Sequence, residues 1–417
     1  MPSLSRLRAA TSILALPLLV AQGSCTPPSA ARPEPPATAP LGERVWVASW
    51  AASPQPSGAK PLVLHGETLR EVVHLSAGGD SIRMHLSNAY GKTPLEITAV
   101  HVAASAGTAR TSAGSDRDVL FGGAPTVVVP PAGVAVSDPI PLRVAPRSDV
   151  AVSLFFAGSA AATTVHALAN GGVSASAPGD VAGAPAFSPA RTLSSWPFLC
   201  ELDVRAASGT RTVVAFGDSI TDGMGSSPGS NHRWPDLLEE RLRARAPEVG
   251  VVNAGIAGNR LLVKLIGDSG LERFQRDVLG VPGVSAVVVL LGINDLAAHA
   301  PEPESSAEEV IAGHQRLLAA ARARGVRVLG ATLLPFEGAD GDGFFLPSDE
   351  PKRQAVNAWI RTAGAYGAVV DFDRAIADRA HPARIAPAFD SGDHLHPNDA
   401  GHQAMADAID LALLTLE

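Results

Sequence analysis

The chain has 417 residues, a length that corresponds to two or three domains at roughly 100–200 residues each. Hydrophobic residues make up 46% and charged residues 18%, a composition that excludes a wholly disordered chain. The net charge of −8 lacks the basic surplus that binds phosphates, so the sequence predicts no nucleic-acid partner. With two cysteines, Cys25 and Cys200, the chain is not a disulfide scaffold, an iron–sulfur protein or a cysteine-rich zinc protein.

The N-terminus, residues 1–24, has the layout of a secretory signal peptide. Arg6 and Arg8 give it a positive start, residues 13–21 are mostly apolar, and small residues follow. The apolar run is shorter than the about 20 residues that a membrane span needs. The sequence therefore predicts export, either as a secreted or periplasmic protein or anchored at a bacterial surface, with an ordinary frayed terminus as the alternative.

Cys25 follows this segment and resembles the acceptor cysteine of a bacterial lipoprotein signal, which makes it a candidate lipid anchor on a membrane. Gln22 departs from that pattern, because such signals prefer Leu at its position. A disulfide with Cys200 and two unpaired thiols are the alternatives. Residues 25–43 are rich in Pro and Ala and predict an extended, semi-rigid linker.

Residues 44–207 have the pattern of an all-β domain. Apolar and polar residues alternate within 82–86, and short β-rich runs separated by Pro and Gly follow at 127–129, 134–136 and 140–144. Several short strands at this spacing predict a β-sandwich of the jelly-roll kind.

Three tryptophans in this accessory domain have two interpretations. Trp46, Trp50 and Trp196 are candidates for stacking on a glycan, but Trp is usually largely buried, which favours a role in the core or at a domain boundary. Since Trp46 and Trp50 are four residues apart, an unbroken strand would place them on the same side.

From about residue 210 to 417 the pattern changes to alternating strands and helices. A capping box, Ser306 followed by Glu309, marks the start of one helix, and the last helix is expected to begin near Pro397 and run on to Leu414. The strand candidates are 213–216, 249–253, 286–291, 326–333 and 368–372. This order predicts a three-layer α/β domain with a parallel five-stranded sheet, whose ligands bind at the carboxyl ends of the strands.

Four polar blocks lie in this α/β half. They are GDSITDG at 217–223, NAGIAGN at 253–259, GIND at 292–295 and DHLHP at 393–397. The first three follow predicted strands directly. Each block alone is weak evidence for an active site, because a lone Gly-Asp-Ser is more often a turn than a nucleophile. Together and in this order they are hard to attribute to chance.

The four blocks resemble those of the SGNH or GDSL hydrolase superfamily, over about residues 210–414. The resemblance implies a flavodoxin-like three-layer hydrolase fold and a serine esterase that needs no metal or organic cofactor. It does not extend to the α/β-hydrolases, whose Gly-x-Ser-x-Gly motif would need Gly where Thr221 stands.

An ester carbonyl needs a nucleophile, a base and donors for the oxyanion. Ser219 supplies the hydroxyl, and His396 is the base candidate because an unperturbed imidazole titrates near pH ~6.5. Asp393 lies three residues earlier, so one tight turn brings its carboxylate to the imidazole and fixes the tautomer. In the superfamily these three positions form the catalytic triad.

The resemblance also assigns the oxyanion hole to the backbone N–H groups of Ser219 and Gly258 and the side-chain amide of Asn294. Each assignment has an alternative. Gly258 could be a turn glycine, with Gly255 as its competitor, and Asn294 could cap the next segment. His394 is a weaker base candidate because Ser391 stands three residues before it.

Two further interpretations concern the acids of these blocks. Asp218 and Asp222 are expected to be structural and to bond turn amides beside Ser219. The alternative for Asp393, His394 and His396 is a metal site, which the absence of a further clustered partner in the sequence disfavours.

The substrate is less defined than the reaction. Export, an acidic body and the added β domain, whose layout looks similar to that of two-domain carbohydrate esterases, favour hydrolysis of short O-acyl groups, especially acetyl, from a carbohydrate. The alternatives are a lipid or aryl esterase of the lysophospholipase kind, for which residues 261–266 could form an apolar wall, and a non-catalytic glycan-binding surface protein. The intact triad positions argue against the last. The oligomeric state stays open.

Overall fold

A computed structural model describes residues 43–297, 304–339 and 343–415 of the chain. The predicted signal peptide, the candidate lipid anchor Cys25 and the linker up to residue 42 lie outside the described residues. Within these ranges, no helix combines the length and the apolar character that crossing a membrane requires.

The first part of the described chain, the β-rich domain, consists of short strands. They are β1 (Arg44–Ala51), β2 (Gln55–Pro56), β3 (Val63–His65), β4 (Thr68–His74), β5 (Ile82–Ser87), β6 (Leu95–Ile97), β7 (Ala99–Ala104), β8 (Arg117–Asp118), β9 (Val127–Val129), β10 (Val134–Val136), β11 (Asp149–Phe155), β12 (Ser159–Ala161), β13 (Thr164–His166), β14 (Val173–Ala175), β15 (Arg191–Leu193), β16 (Trp196–Pro197) and β17 (Leu199–Ala207).

Two antiparallel sheets form the body of this domain. One has the order β1-β17-β5-β10, and the other has the order β15-β14-β4-β11-β7-β8. Their buried side chains belong to a single hydrophobic cluster, to which Met84 and Leu202 contribute from the first sheet and Leu69 and Val152 from the second. A shared core between two sheets is the arrangement of the predicted sandwich.

The tryptophans follow the core interpretation, with one correction. Trp50 and Trp196 are buried and meet edge to face with ring centroids 5.2 Å apart, so they are not exposed stacking platforms. Trp46 instead lies under the guanidinium of Arg83. The expectation that Trp46 and Trp50 share a side was wrong, because a register shift after Ala48 breaks the alternation of β1 and turns Trp50 toward the core that Val47 also enters.

The second part, the α/β domain, is built on a parallel sheet, as predicted. Its strands are β18 (Arg211–Gly217), β19 (Val249–Gly255), β20 (Val284–Leu290), β21 (Arg327–Ala331) and β22 (Ala368–Val370). They lie in the order β19-β18-β20-β21-β22, which is the flavodoxin-like order 2-1-3-4-5. The chain continues from β18 to β19 on one side and then to β20 on the other side, so the strand order reverses at β18. In such sheets, ligands bind at the carboxyl ends of the strands where the order reverses, which are β18 and β20 here.

Helices connect these strands. They are α1 (Ser219–Asp222), α2 (Trp234–Arg243), α3 (Gly270–Phe274) with a following π-helical turn (Gln275–Leu279), α4 (Ile293–Leu296), α5 (Ala307–Arg322), α6 (Asp349–Thr362), α7 (Phe372–Ile376), α8 (Asp399–Asp407) and α9 (Ala412–Thr415). The predicted capping box is present: the Glu309 N–H donates to Ser306 Oγ, and the Ser306 N–H donates to the Glu309 carboxylate.

The last helix differs from its prediction. The structure divides the segment into α8 and α9, and Asn398 rather than Pro397 caps the first of them. The Asp410 side chain accepts a hydrogen bond from the Ala412 N–H and so starts a new turn. Asp competes for backbone donors in this way, which favours helix starts over helix interiors.

The two domains belong to one compact unit, Gly42–Glu417. The join runs along β1, where the Ala48 N–H donates to Pro282 O at 2.9 Å and Thr212 Oγ1 donates to Ala48 O at 2.9 Å. Arg147 of the β-rich domain pairs with the buried Glu239 of α2 at 3.0 Å. Because polar groups from both domains satisfy one another in a buried boundary, the β-rich domain supports the α/β domain directly.

Candidate active site

Ser219 lies at the carboxyl end of β18, where α1 begins. The preceding residue, Asp218, accepts a hydrogen bond from the Ile220 N–H at 3.1 Å and caps this single turn. Gly223 ends the turn with a φ of 108°. A side chain at Gly217 would place its Cβ 2.2 Å from Thr221 Oγ1, so the chain can pass there only as glycine. The sharp turn holds the Ser219 hydroxyl at the strand end.

His396 reaches Ser219 from the loop between α7 and α8. Its Nε2 lies 2.9 Å from Ser219 Oγ, and its Nδ1 lies 2.6 Å from Asp393 Oδ2. A carboxylate accepts hydrogen bonds, so the arrangement places the imidazole proton on Nδ1 and the lone pair of Nε2 toward the hydroxyl. Both Ser219 and His396 are buried.

The Asp393 carboxylate is fixed by four donors. Oδ2 accepts from the His396 ring, and Oδ1 accepts from the backbone N–H groups of Leu395 and His396 and from Ser391 Oγ. Burial alone would raise the pKa of Asp393, but the hydrogen bonds from His396 and Leu395 outweigh it and hold the pKa below its usual range. The side chain is therefore an anion beside the imidazole.

The two candidate oxyanion donors from the middle blocks follow the two strands that flank β18. Asn294 is buried in α4 after β20, and its Nδ2 donates to Asn259 O at 3.0 Å. An amide nitrogen carries two hydrogens, so this bond orients the group and leaves one N–H to donate elsewhere. Gly258 follows β19 with a φ of +73°, and no described residue accepts a hydrogen bond from its N–H.

Two buried carboxyl groups within the polar blocks have raised pKa values. Burial raises the pKa of Asp218 to about 7 and that of Asp295 to about 6. Asp295 accepts hydrogen bonds from the N–H groups of Leu261 and Leu262 at 2.7 and 2.9 Å, which fixes the chain after Asn259. Sequence reasoning missed Asp295, although it completes the GIND block.

Both acids next to Ser219 bond turn amides, as predicted. Asp218 accepts from the Ile220 N–H of its own turn, and Asp222 Oδ2 accepts from the Ala257 N–H, in the turn after β19, at 2.9 Å. The contact that was not predicted is on the other oxygen: Asp222 Oδ1 lies 2.9 Å from Nε2 of His166. His166 comes from the β-rich domain and gave no sequence signal beyond being a lone histidine.

His394 also has a carboxylate partner. Its Nδ1 lies 2.5 Å from Asp390 Oδ2, an acid four residues earlier rather than three. The side chain is 55% exposed, whereas that of His396 is 8% exposed and touches Ser219. Of the two histidines, only His396 lies between an aspartate and the serine hydroxyl.

Within the described ranges, three side chains of the β-rich domain are close enough to hold a metal ion together: His85, Glu201 and Asp203. They lie across β5 and β17, where Arg83 Nε approaches Asp203 Oδ2 to 2.7 Å. The guanidinium already supplies a positive charge, so we interpret the group as a cross-strand ladder of alternating charges. The free thiol of Cys200 lies on the same strand and donates to His85 O.

Comparison with known proteins agrees with this geometry. Residues 215–404 match the family described as GDSL-like Lipase/Acylhydrolase. No curated protein matches the chain.

Solved structures similar to it include a lipase/acylhydrolase from Enterococcus faecalis (21% identity, 48% of this chain and 92% of that chain, TM-score 0.38). Others are LAE5, described as an alpha/beta hydrolase enzyme from the metagenome of Lake Arreo (27% identity, 50% of this chain and 95% of that chain, TM-score 0.37), and a variant of Axe2, an acetyl xylan esterase from Geobacillus stearothermophilus (24% identity, 50% and 96%, TM-score 0.38). With Ser219 at the end of the first parallel strand and the four blocks inside the matched range, the chain carries a GDSL-like lipase/acylhydrolase domain and is an ester hydrolase.

Proposed function

We propose that the chain is a serine esterase in which Ser219, His396 and Asp393 act as the catalytic triad. The observation that carries the proposal is the continuous hydrogen-bond path from Asp393 Oδ2 through the imidazole to Ser219 Oγ, with steps of 2.6 and 2.9 Å. Nδ1 is occupied by the aspartate, so Nε2 is the nitrogen that can take the serine proton.

The mechanism follows from these contacts. His396 Nε2 removes the proton of Ser219 as Oγ attacks the ester carbonyl, and Asp393 stabilises the resulting imidazolium. The imidazolium returns the proton to the departing alcohol, which leaves an acyl group on Ser219. Water then attacks the acyl-enzyme with the same base, and the acid is released.

The oxyanion of each tetrahedral intermediate needs neutral donors that are already in place. The backbone N–H groups of Ser219 and Gly258 and the second N–H of Asn294 supply them in this proposal. Support comes from the Asn294 bond to Asn259 O, which aims the amide, and from the Gly258 N–H, which has no acceptor among the described residues.

For the substrate, we propose short O-acyl esters, especially acetyl esters, on a carbohydrate. Ile266 is the side chain nearest to the place where a Cβ on Gly258 would lie, 2.6 Å from its Cδ1, and it is 42% exposed. His394, two residues from His396, is exposed and polar. One apolar side chain beside the carbonyl site and a polar residue beside the base suit a small acyl group on a hydroxylated alcohol. The burial of Trp50 and Trp196 removes them as glycan-stacking residues.

A lipid esterase is the second candidate, because exposed apolar side chains cluster along the chain at Val263, Leu265 and Ile266. A chain-length series separates the two. Purified protein without residues 1–24 and its Ser219→Ala variant are assayed on p-nitrophenyl esters from acetate to palmitate, with acetate release from acetylated xylan in parallel. The proposal predicts activity on short chains, released acetate and an inactive variant. A preference for long chains without acetate release would favour the lipid esterase.

We further propose that the protein is exported, with Cys25 as a lipid anchor. The support is the sequence layout of residues 1–24. The intact mass of the protein from its native membrane fraction tests it: a diacylglyceryl modification at an N-terminal Cys25 supports the anchor, and an unmodified start contradicts it.

A further inference from the structure

A buried histidine of the β-rich domain touches the turn that carries the nucleophile. His166, at the end of β13, is 4% exposed, and Asp222, at the end of α1, is 1% exposed. His166 Nε2 lies 2.9 Å from Asp222 Oδ1, and His166 Nδ1 lies 3.0 Å from Ser53 O. The ring also packs against Trp196 at 5.8 Å between centroids. Both nitrogens and one face of the ring are therefore held by contacts, which fixes the orientation of the imidazole.

Asp222 in turn joins two segments that meet at Ser219. It is the last residue of the four-residue turn that begins with Ser219, and its second oxygen accepts a hydrogen bond from the Ala257 N–H. Ala257 directly precedes Gly258. The same carboxylate thus links the segment that carries one proposed oxyanion donor, the Ser219 N–H, to the segment that carries another, the Gly258 N–H.

The packing around this link leaves little freedom. A Cβ on Gly255 would lie 2.3 Å from the Asp222 N atom, so the two segments are in close backbone contact. Asn253 Nδ2 donates to Thr221 O at 2.6 Å and ties β19 to the same turn. In such close packing, a rotation of the Asp222 carboxylate moves the Ala257 amide with it.

The charges explain why the histidine is needed. A carboxylate removed from water is costly unless it is paired and hydrogen-bonded. His166 Nδ1 faces a carbonyl oxygen, which only accepts, so Nδ1 carries a proton. Burial lowers the pKa of His166, but the charge of Asp222 and the hydrogen bonds to Asp222 and Ser53 outweigh burial and the nearby Arg233, so the pKa is raised. The Asp222 carboxylate, like Ser53 O, only accepts, so a protonated His166 donates from both nitrogens and compensates the Asp222 charge.

We propose that His166 is a positioning residue by which the β-rich domain sets the oxyanion hole. It fixes Asp222, which holds the Ala257–Gly258 amides in register with the turn at Ser219. The proposal rests on the proposed triad and oxyanion hole. His166 touches no reacting atom, and its contribution passes entirely through Asp222.

The test compares two polar contacts between the domains. His166→Phe removes the bond to Asp222, whereas Glu239→Gln weakens the Arg147 pair, which also joins the domains but involves none of the four polar blocks. Both variants are expected to lower the melting temperature. With p-nitrophenyl acetate, His166→Phe is expected to lower kcat about 10-fold, with little change in KM. This loss is smaller than the about 100- to 1,000-fold loss that removal of an oxyanion donor causes, because the donors are displaced and not removed.

Binding of a boronic acid that forms a tetrahedral adduct with serine should weaken in the same proportion as kcat, because the adduct uses the oxyanion donors. Glu239→Gln should leave both quantities unchanged. His166→Gln, whose amide N–H can reach Asp222, should recover most of the lost activity. It also keeps the proposal testable if the His166→Phe protein does not fold.

The outcomes separate this proposal from the one on which it rests. Activity that survives in Ser219→Ala contradicts the triad itself. An inactive Ser219→Ala together with a His166→Phe protein whose kcat and boronic-acid affinity match those of Glu239→Gln contradicts the positioning role alone.

Discussion

The β-rich and α/β domains both bury charged side chains, but they use them differently. In the β-rich domain, Arg70 is buried and donates to Ser153 Oγ and to the carbonyls of Ala182 and Ala184, so its hydrogen bonds fix loops to a sheet. In the α/β domain, the polar groups after β18 and β20 lie at the strand ends where the sheet order reverses. The residue type alone does not tell whether a buried polar side chain fixes a loop or belongs to a site. Its position does, because sites of parallel sheets lie at the strand ends where the order reverses. His166 combines the two uses, since it is buried in the β-rich domain and, in the proposal above, positions groups of the α/β site.

The largest effect on kcat is expected from a comparison of the two histidine–aspartate pairs, His396 with Asp393 and His394 with Asp390. His396→Asn should lower kcat about 10⁴-fold, because it removes the base that takes the serine proton. His394→Asn, a matched change in an exposed pair with Asp390, should retain activity, and Asn tolerates the φ of 62° found there. Steady-state kinetics on p-nitrophenyl acetate measures both. An equal loss of kcat in the two variants would contradict the assignment of His396 as the base, since only His396 contacts Ser219.

The next effect concerns the oxyanion. Asn294→Ala should lower kcat by about 100- to 1,000-fold, with little change in KM, because the lost donor acts mainly in the transition state. Asn170→Ala is the control, since the Asn170 amide donates to Ser226 Oγ from the β-rich domain. An unaltered kcat in Asn294→Ala would show that the Asn294 amide is not part of the oxyanion hole.

A pH-dependent effect on stability is expected from Asp218. Its usual pKa of 3.8 is raised to about 7 by burial, so between these values the folded protein holds a proton that the unfolded chain has lost. The free energy of unfolding should therefore fall as pH rises through this range and then level off. In Asp218→Asn the fall should be smaller, with a remainder from Asp295 and from other carboxyl groups whose pKa burial raises, such as Glu71 and Glu239.

Melting temperatures at about pH 5 and about pH 8 check this point, because they bracket most of that titration. The difference between the two temperatures should be smaller in Asp218→Asn than in the original protein. Identical differences in both would mean that the Asp218 carboxyl ionises normally in the folded state.

The smallest effect is expected at the loop that follows Gly258. Tyr90 of the β-rich domain bonds Asp268 Oδ2 at 2.8 Å through its hydroxyl, and Lys264 pairs with the same carboxylate. Tyr90→Phe should lower the free energy of unfolding by about 1.5–3 kcal/mol, the usual net value of a hydrogen bond to a charged group, and leave kcat nearly unchanged. Denaturant unfolding measures the loss. A large fall in kcat would show that this contact also positions reacting groups.

The α/β domain could be predicted well from the sequence, because its strands are continuous apolar runs and its polar blocks follow them directly. The three-residue spacing of Asp393 and His396 is local, so one turn determines their contact. The β-rich domain was harder in detail. The register shift in β1 reversed the side of Trp50, and nothing in the spacing of hydrophobic residues marks such a bulge.

Contacts distant in sequence could not be predicted at all. His166 and Asp222 are 56 residues apart and lie in different domains, and a lone histidine carries no sequence signal for its partner. Such pairings depend on how loops from different parts of the chain pack together.

The local pair of Asp390 and His394 was not predicted either, because the expected distance between the acid and the histidine was three residues rather than four.

The most direct test of the central claim is to identify the acylated residue. The protein is mixed with p-nitrophenyl acetate, quenched in acid within the first turnovers, digested and analysed by mass spectrometry. The account predicts one added acetyl group on Ser219, and none on the Ser219→Ala protein. Rapid turnover with acetyl on another residue, or an equally active Ser219→Ala protein, would contradict it.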